Sequence, residues 1–336
     1  MPKTVRNQFD KYLTFDRLLD AHFKSRKCKN RRKETILFNL KQEEYIMWLY
    51  TKLKDGTYKH GGYTRFYVTE PKKRLIEKSM YIDRIVHRWV VDNFLLPNFG
   101  TQFIYASFAC IKGKGLHNSS LYVQNMMRKA KANWGSYYIL KTDVAKYFQS
   151  IDKRILIKIL ERKIKDKKLM WLIKEILYGN PKEKGIEIGN YTSQMFANIY
   201  LNEVDQYIKH DLKVKYYARY LDDSVMLFKT KEEAKVALEK ITSFLEERLE
   251  LKLNSKTQII KGSQGVNYCG YKINEYRLKL RDRGKRNLKN KVKHLKKKVK
   301  NGEISSKEAR RLLAGHYGYI HIADVYNLSK KLFYIK

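Results

Sequence analysis

The sequence predicts an α+β fold that combines many helices with an antiparallel sheet, and three observations carry that expectation. Tyr138-Ile139-Leu140-Lys141-Thr142-Asp143 and the stretch from Tyr217 to Phe228 are rich in aromatic, β-branched and apolar residues, the composition of strands. The second stretch reads as a hairpin over 215–228 that turns at Leu221-Asp222. Elsewhere, apolar residues recur at helical spacing over much of the chain. Acidic residues mark the strand ends: Asp143 closes the first strand, and Asp222 and Asp223 sit on the hairpin. Carboxylates on neighbouring strand ends can converge on one spot, and hard divalent ions want oxygen ligands.

The elements follow in order. Residues 1–50 read as helical, with Phe15, Leu18, Leu19 and Phe23 at helical spacing. A basic interruption runs from Lys24 to Lys33, and a further helix carries Tyr45, Met47, Trp48 and Leu49. Asp55-Gly56-Thr57-Tyr58 is a turn signal. Tyr63 to Glu70 alternates, Pro71-Lys72-Lys73 turns and Arg74-Leu75-Ile76-Glu77 returns, which predicts a strand pair. Residues 81–96 predict one amphipathic helix with Ile82, Ile85, Val86, Trp89, Val90 and Phe94 inward. In its middle lies Asp83-Arg84, read as a structural ion pair. Gly113 and Gly115 lie in a loop that can meet phosphate and leads into a helix reaching about Lys131. That loop fits neither a P-loop nor the dinucleotide fingerprint. After the strand at 137–143 come helices over 152–178, a loop from Gly185 to Gly189 and a helix from Ser193 to His210. The hairpin, a helix at 231–249 and short strands at 257–261 and 266–273 follow. Gly284 to Lys300 holds nine Lys or Arg and no acid, with Leu288, Val292, Leu295 and Val299 on one face of a helix that stops at Asn301-Gly302. A last helical portion spans 305–333.

The charge balance concerns partners. Lys and Arg total 72 against 34 acids, a formal charge of +38. A polyanion, RNA or DNA, is the expected partner, against the alternatives of a generally basic soluble protein or attraction to an anionic membrane. The absence of acids from 284–300 favours a phosphate-tracking face there over a merely solvated one, with Lys289, Lys293, Lys296 and Lys297 as the expected contacts. Cys28, Cys110 and Cys269 show neither zinc nor disulfide spacing, which suits reduced, buried thiols in a cytoplasmic protein. No signal-peptide core and no run of about 18 apolar residues is present, so no membrane span is expected.

Three blocks then invite a family. Lys141-Thr142-Asp143-Val144-Ala145-Lys146-Tyr147-Phe148, Gly185-Ile186-Glu187-Ile188-Gly189-Asn190-Tyr191-Thr192-Ser193-Gln194 and Tyr220-Leu221-Asp222-Asp223 resemble, in order and spacing, those of a reverse transcriptase. The resemblance covers nearly the whole chain. Ile188 to Gln194, Ala109 to His117 and the compact C-terminal region look most like the reverse transcriptases of diversity-generating retroelements; those of bacterial antiphage defence are the alternative. A non-catalytic RNA-binding protein on the same fold stands further off, opposed by the intact aspartates. A maturase or intron role is weaker, because no endonuclease or extra DNA-binding domain is expected after residue 336; no RNase H domain is expected either.

The resemblance implies a right-hand polymerase fold. The N-terminal extension and fingers take 1–136, the palm 137–275 with finger-side insertions including the 152–184 helices, and a small helical thumb 276–336. It implies two Mg²⁺ ions, with Mn²⁺ as a substitute, held by Asp143 and Asp222. Asp223 either joins them, helps the turn or completes the charge field. Lys72 and Arg74 resemble the residues that hold an incoming triphosphate, with Lys73 the less certain member. Phe148 resembles the steric gate against a ribose 2′-hydroxyl. Ile188 and Gly189 stand where most of the family has Gln-Gly, with Gln194 on the helix that follows. This departure suits error-prone copying or is a neutral packing change. Lys256 resembles a lysine near the triphosphate, a general acid or a surface charge. Val266 to Ile273 resembles the primer grip, with Gly270 in its turn. Lys112, Lys114 and Tyr220 are further expected nucleic-acid contacts. The implied partners are an RNA template, a DNA or RNA primer, deoxynucleoside triphosphates, a structured or template-repeat RNA and a small basic accessory protein.

Overall fold

The computed structural model describes residues 4–69 and 73–333. Four helices open the chain: α1 (Phe9–Tyr12), α2 (Phe15–Arg26), α3 (Lys33–Leu40) and α4 (Gln42–Lys54). Thr14 starts α2 by accepting the Arg17 amide, an N-cap that satisfies one free end of the helix. The strands β1 (Tyr63–Val68) and β2 (Arg74–Ser79) pair antiparallel, Tyr63 opposite Ser79. Lys72 lies outside the described residues.

The expected single helix at 81–96 is three pieces: α5 (Tyr81–Val90), a π-helical turn over Val91–Leu95 and α6 (Leu96–Phe99). Val91, Phe94 and Leu95 are all buried, so this turn is apolar on more than one side, and a simple amphipathic reading could not register it. Next come α7 (Leu116–Trp134), β3 (Tyr138–Asp143), the short α8 (Tyr147–Ser150), α9 (Lys153–Lys163) and α10 (Lys167–Tyr178). Asp152 and Asp166 divide the expected 152–178 helical stretch by capping α9 and α10. α11 (Tyr191–Gln206) runs into a π-helical turn over Tyr207–Asp211. Then follow β4 (Tyr216–Tyr220), β5 (Asp223–Phe228), α12 (Lys231–Leu249) and β6 (Gln258–Lys261). The expected strand at 266–273 is a hairpin, β7 (Val266–Tyr268) and β8 (Tyr271–Ile273), joined by β9 (Leu278–Leu280). The basic helix is α13 (Asp282–Lys300), and the last helical portion is two helices, α14 (Ser306–Ile320) and α15 (Tyr326–Phe333).

The chain divides into two compact units, each built from separate stretches. The first takes residues up to 104, 144–207 and 242–252. Its core centres on Trp89, which meets Phe9 and Phe94 edge-on at 5.4 and 5.1 Å and donates its indole N–H to the Tyr12 carbonyl at 3.0 Å. Buried Asp166 accepts from the amides of Gln8 at 2.7 Å and Phe9 at 2.9 Å, tying residues far apart in sequence. Asp83 and Arg84, expected as one ion pair, are partnered separately. Asp83 accepts from the Tyr58 hydroxyl at 2.6 Å and the Gly61 amide at 3.2 Å, whereas Arg84 pairs with Glu34 at 2.7 Å. Adjacent helical residues point apart, which forbids the expected pairing.

The second unit takes 105–143, 208–241 and the chain from 253 onward. It holds a four-stranded sheet in the order β4-β5-β3-β6 and a three-stranded sheet in the order β7-β8-β9. The neighbours given for the first sheet are all antiparallel. Ile139, Leu140, Val225, Met226 and Leu227 fill its interior, and α7 lies against β4, β5 and β8. Among the described residues, no helix is long and apolar enough to cross a membrane.

Candidate active site

Strand register brings two aspartates together. Asp143 is the last residue of β3, Asp223 the first of β5, and the two are direct partners in the antiparallel ladder. One step inward, the hydroxyls of Thr142 and Ser224 share a buried hydrogen bond of 2.6 Å. Directly paired strand residues project to the same face, so the two carboxylates share a side. Asp222 is half-buried in the turn between β4 and β5, beside Tyr220, which pairs with Asp223.

The turn is held from below. Leu221 has φ +54°, a left-handed conformation that costs an L-residue roughly 1–2 kcal/mol. The buried Arg219 side chain donates to the Leu221 carbonyl at 3.0 Å and to the Ser107 hydroxyl at 3.3 Å. Its backbone is fixed as well, donating to Ala106 and accepting from Phe108. On the other flank, the Asn254 amide donates to the Asp143 carbonyl at 2.7 Å, and the Asn254 side chain accepts from the Lys256 amide at 3.1 Å. Lys256 is thus an exposed residue on a loop anchored to Asp143.

The carboxylates are not free of basic neighbours. Lys141, two residues before Asp143 on the same face of β3, places its ammonium 3.3 Å from Asp223. Burial pushes the Asp223 carboxyl up to about 7; Lys141 opposes the rise, and the charges of Asp143 and Asp222 reinforce it. Three carboxylates at neighbouring strand ends are the donor set a hard divalent cation takes. Among the described residues, no three carboxylate, imidazole or thiol groups stand close enough to form a ready-made ion cage. The donor types suit such an ion, but their side chains do not converge on one point, and Asp223 is paired with Lys141 instead.

Lys141, Arg219 and Asn254 escaped the sequence reading. Arg219 carried a signal: a charged residue inside an otherwise apolar and aromatic strand, where a buried guanidinium must find acceptors.

In the first unit, Phe148 is half-buried on α8, its carbonyl accepting from the Ile186 amide at 2.8 Å and its ring 5.7 Å from Tyr147. The loop with Ile188 and Gly189 is fastened to β2, where the Glu77 amide donates to the Ile188 carbonyl at 3.3 Å. Gly189 has φ +124°, and a Cβ there would stand 3.0 Å from Ile76. The need for glycine is thus met inside the protein, by the approach of β2. Buried Asn190 accepts from the amide and hydroxyl of Ser79, and Gln194 follows one turn along α11. Burial raises the Glu187 carboxyl above its usual range. Arg74 is exposed at the start of β2, and Lys73 lies over the Tyr67 ring at 4.7 Å.

The expected nucleic-acid contacts divide. Lys112 is exposed. Lys114 is instead committed to its own loop: its ammonium donates to the carbonyls of Tyr105 and Ser107 and lies over the rings of Tyr105 and Phe108. Tyr220 is half-buried, and Gly270 sits in the β7–β8 turn with φ +86°. Lys289, Lys293, Lys296 and Lys297 are exposed on α13, opposite buried Leu288, Val292 and Leu295. At the ends of this run two lysines meet acids, Lys285 with Asp282 and Lys298 with Glu303, each at 3.6 Å. Both acids lie just outside the acid-free stretch.

Known proteins resemble this chain to different extents. A COX1/OXI3 intron 2 protein of Saccharomyces cerevisiae is 22% identical over 278 residues, covering 63% of this chain and 31% of that protein. Protein YkfC of Escherichia coli is 25% identical over 232 residues, 57% of this chain and 60% of its own length. The group II intron-encoded protein LtrA of Lactococcus lactis is 26% identical over 189 residues, 52% of this chain and 30% of its own. This chain therefore spans between about a third and three fifths of these relatives. Among solved structures, a Candida albicans telomerase in complex with a fragment of telomeric RNA matches with a TM-score of 0.50 at 11% identity, over 66% of this chain and 45% of that one. The apo telomerase of Candida tropicalis matches equally, at 13% identity, over 66% and 49%. This likeness in fold is to a right-hand polymerase of mixed helices and antiparallel sheets. The family model described as reverse transcriptase (RNA-dependent DNA polymerase) matches residues 59–273, which takes in both strand-end aspartates, the turn between them and the β7–β8 hairpin, and the chain belongs to that family.

Proposed function

We propose that this chain copies an RNA template into DNA by two-metal nucleotidyl transfer. The observation that carries the reading is the register pairing of Asp143 with Asp223, with Asp222 in the turn alongside. These three residues would hold Mg²⁺, or Mn²⁺ in its place. The ions, when bound, neutralise charge on the attacking and leaving oxygens of phosphoryl transfer. The protein's own contribution is positional. Arg219 and Asn254 fix the backbone on both flanks of the carboxylates. Arg74 and Lys256 offer cationic groups for a triphosphate, Arg as a bidentate fork and Lys as a point charge. Phe148 supplies an aromatic ring that fills the room a ribose 2′-hydroxyl needs.

The template we infer is a structured RNA, supported by the intron-encoded nature named for two of the relatives. An intron role, weak on the sequence alone, gains support from those same names. Error-prone copying, as in diversity-generating retroelements, is the finer reading, supported by Ile188 in place of the glutamine that most of the family carries before its glycine. The primer is DNA or RNA, and the substrates are deoxynucleoside triphosphates.

The test is Asp222→Asn. The amide keeps the size and removes the charge, so primer extension on an RNA template should fall by about a hundredfold to a thousandfold, the loss when a group acting in the transition state is removed. RNA binding and melting temperature should stay unchanged. A purified variant that still polymerises at a comparable rate overturns the two-metal assignment.

A further inference from the structure

The β7–β8 hairpin turns on two residues, Cys269 and Gly270, with φ +47° and +86°. Two left-handed residues in a two-residue loop are the signature of a tight turn whose twist matches its strands. The turn is held from two sides. On one, the Tyr268 hydroxyl shares a buried hydrogen bond of 2.8 Å with Ser119 near the start of α7. On the other stands Tyr319 of α14. Its ring stacks on Tyr271 at 4.9 Å and 18°, and its carbonyl accepts from the Tyr271 hydroxyl at 2.6 Å. Its own hydroxyl occupies the space where a side chain of Gly270 would begin. His117 lies beside both tyrosines, with ring centres 6.3 and 6.4 Å away. The end of α14 is tied to the same sheet through Asp324, whose amide donates to the Leu278 carbonyl and whose carboxylate accepts from the Leu278 amide. The turn also lies within electrostatic reach of the carboxylate corner. Burial first, and then the charge of Asp223, push the Cys269 thiol up to about 12.

We propose that Tyr319 is the positioning residue of this turn: stacked on Tyr271 and seated on the bare Cα of Gly270, it fixes the backbone of Cys269 and Gly270 against the end of a primer strand. The proposal rests on the polymerase reading, under which this hairpin meets the primer. It assigns Gly270 a second requirement besides its backbone angle, since any side chain there displaces the ring. It also makes one aromatic ring the link between the basic C-terminal helices and the hairpin beside the aspartates.

The experiment is steady-state primer extension with an RNA template–DNA primer duplex, comparing wild type with Tyr319→Phe, Tyr319→Ala, Gly270→Ala and the double variant. Tyr319→Ala should raise KM for the duplex roughly tenfold and shorten the products, leaving KM for the deoxynucleotide within about twofold, because a positioned contact to one substrate is lost. Tyr319→Phe keeps the stack and should stay within about twofold of wild type in both. Gly270→Ala should cost less in the Tyr319→Ala background than in wild type, since the atom it strikes is gone. If Tyr319→Ala does not fold, Tyr319→Leu, which fills space without stacking, is read by the same criteria. Unchanged KM and product length, equal rises in both KM values, or additive costs of the two substitutions overturn the proposal. Wild type separates the two readings. If it extends primers, only the role of Tyr319 is at stake; if it extends none and matches Asp222→Asn, the polymerase reading falls and the proposal with it.

Discussion

At the scale of single residues, the sequence displayed acids and concealed their partners. Asp143, Asp222 and Asp223 stood out because acidic groups at the ends of apolar strands are rare. Lys141 was visible only as one of 72 basic residues, and nothing local distinguishes the one whose ammonium meets Asp223. Asn254 was hidden for a related reason, since its bond is to the backbone of a residue far away in sequence. Gly189 shows the converse: a glycine was expected, but the neighbour that demands it, Ile76, is set by tertiary packing. Ile188 is the residue whose chemistry is most open to test. Its carbonyl is fixed by Glu77, so a substitution changes the side chain on an anchored backbone. Ile188→Gln restores a donor and an acceptor, and a site able to hydrogen-bond discriminates more sharply than shape alone. Sequencing cDNA made by wild type and variant on one template should show fewer errors for the variant, by roughly the 0.5–1.5 kcal/mol of one net hydrogen bond, most visibly opposite template adenine. Equal error spectra at equal activity would remove Ile188 from any role in fidelity.

At the scale of elements, periodicity located helices well and divided them poorly. The helix at 231–249 and the hairpin at 215–228 agree with the structure nearly to the residue. The stretch at 152–178 reads as helical without a place for its break, which Asp166 sets by capping α10, as Asp152 caps α9. β9 was missed because three residues, Leu278–Leu280, carry no period. The basic helix α13 is the element for which composition supports a proposed role most directly. Its exposed Lys289, Lys293, Lys296 and Lys297 are unlike Lys285 and Lys298, which have acidic partners. Replacing these four by Gln should weaken template–primer binding almost equally on unrelated sequences. Each lost phosphate contact should reduce the slope of log K against log salt by about 0.9, the value for duplex B-DNA. A titration across salt concentrations checks it, and an unchanged slope would give α13 another task.

At the scale of the whole molecule, the excess of positive charge was legible because net charge survives any rearrangement of the chain, whereas the division into two units was not, because each unit draws on separate stretches. Stability carries its own signature. Burial, and then the charge of Arg26, lower the His22 imidazole to about 4, where it stacks on Phe38 at 4.7 Å. A base whose folded pKa lies below its unfolded value of 6.5 stabilises fully above pH 6.5, and that contribution is lost as the pH falls toward 4. The slope is at most about 1.4 kcal/mol per pH unit for one proton. His22→Phe should therefore gain on wild type in thermal melts taken from pH 7 down to pH 4.5. Parallel pH curves for the two proteins would show that His22 does not titrate on unfolding in this range.

The interleaving of the two units bears on how the protein is made. Asp166 clasps Gln8 and Phe9, and the Tyr200 hydroxyl donates to the carbonyl of Leu249, so the first unit closes only after its last stretch exists. On a ribosome adding about 5–20 residues per second, the N-terminal helices wait roughly 10–50 s for those partners. Trp89, Phe9 and Phe94 can meet early, within the first hundred residues, but α11 and the end of α12 cannot. The nascent chain thus holds unfinished apolar surface through most of its synthesis, in the presence of the ribosome's own RNA and with a growing excess of positive charge.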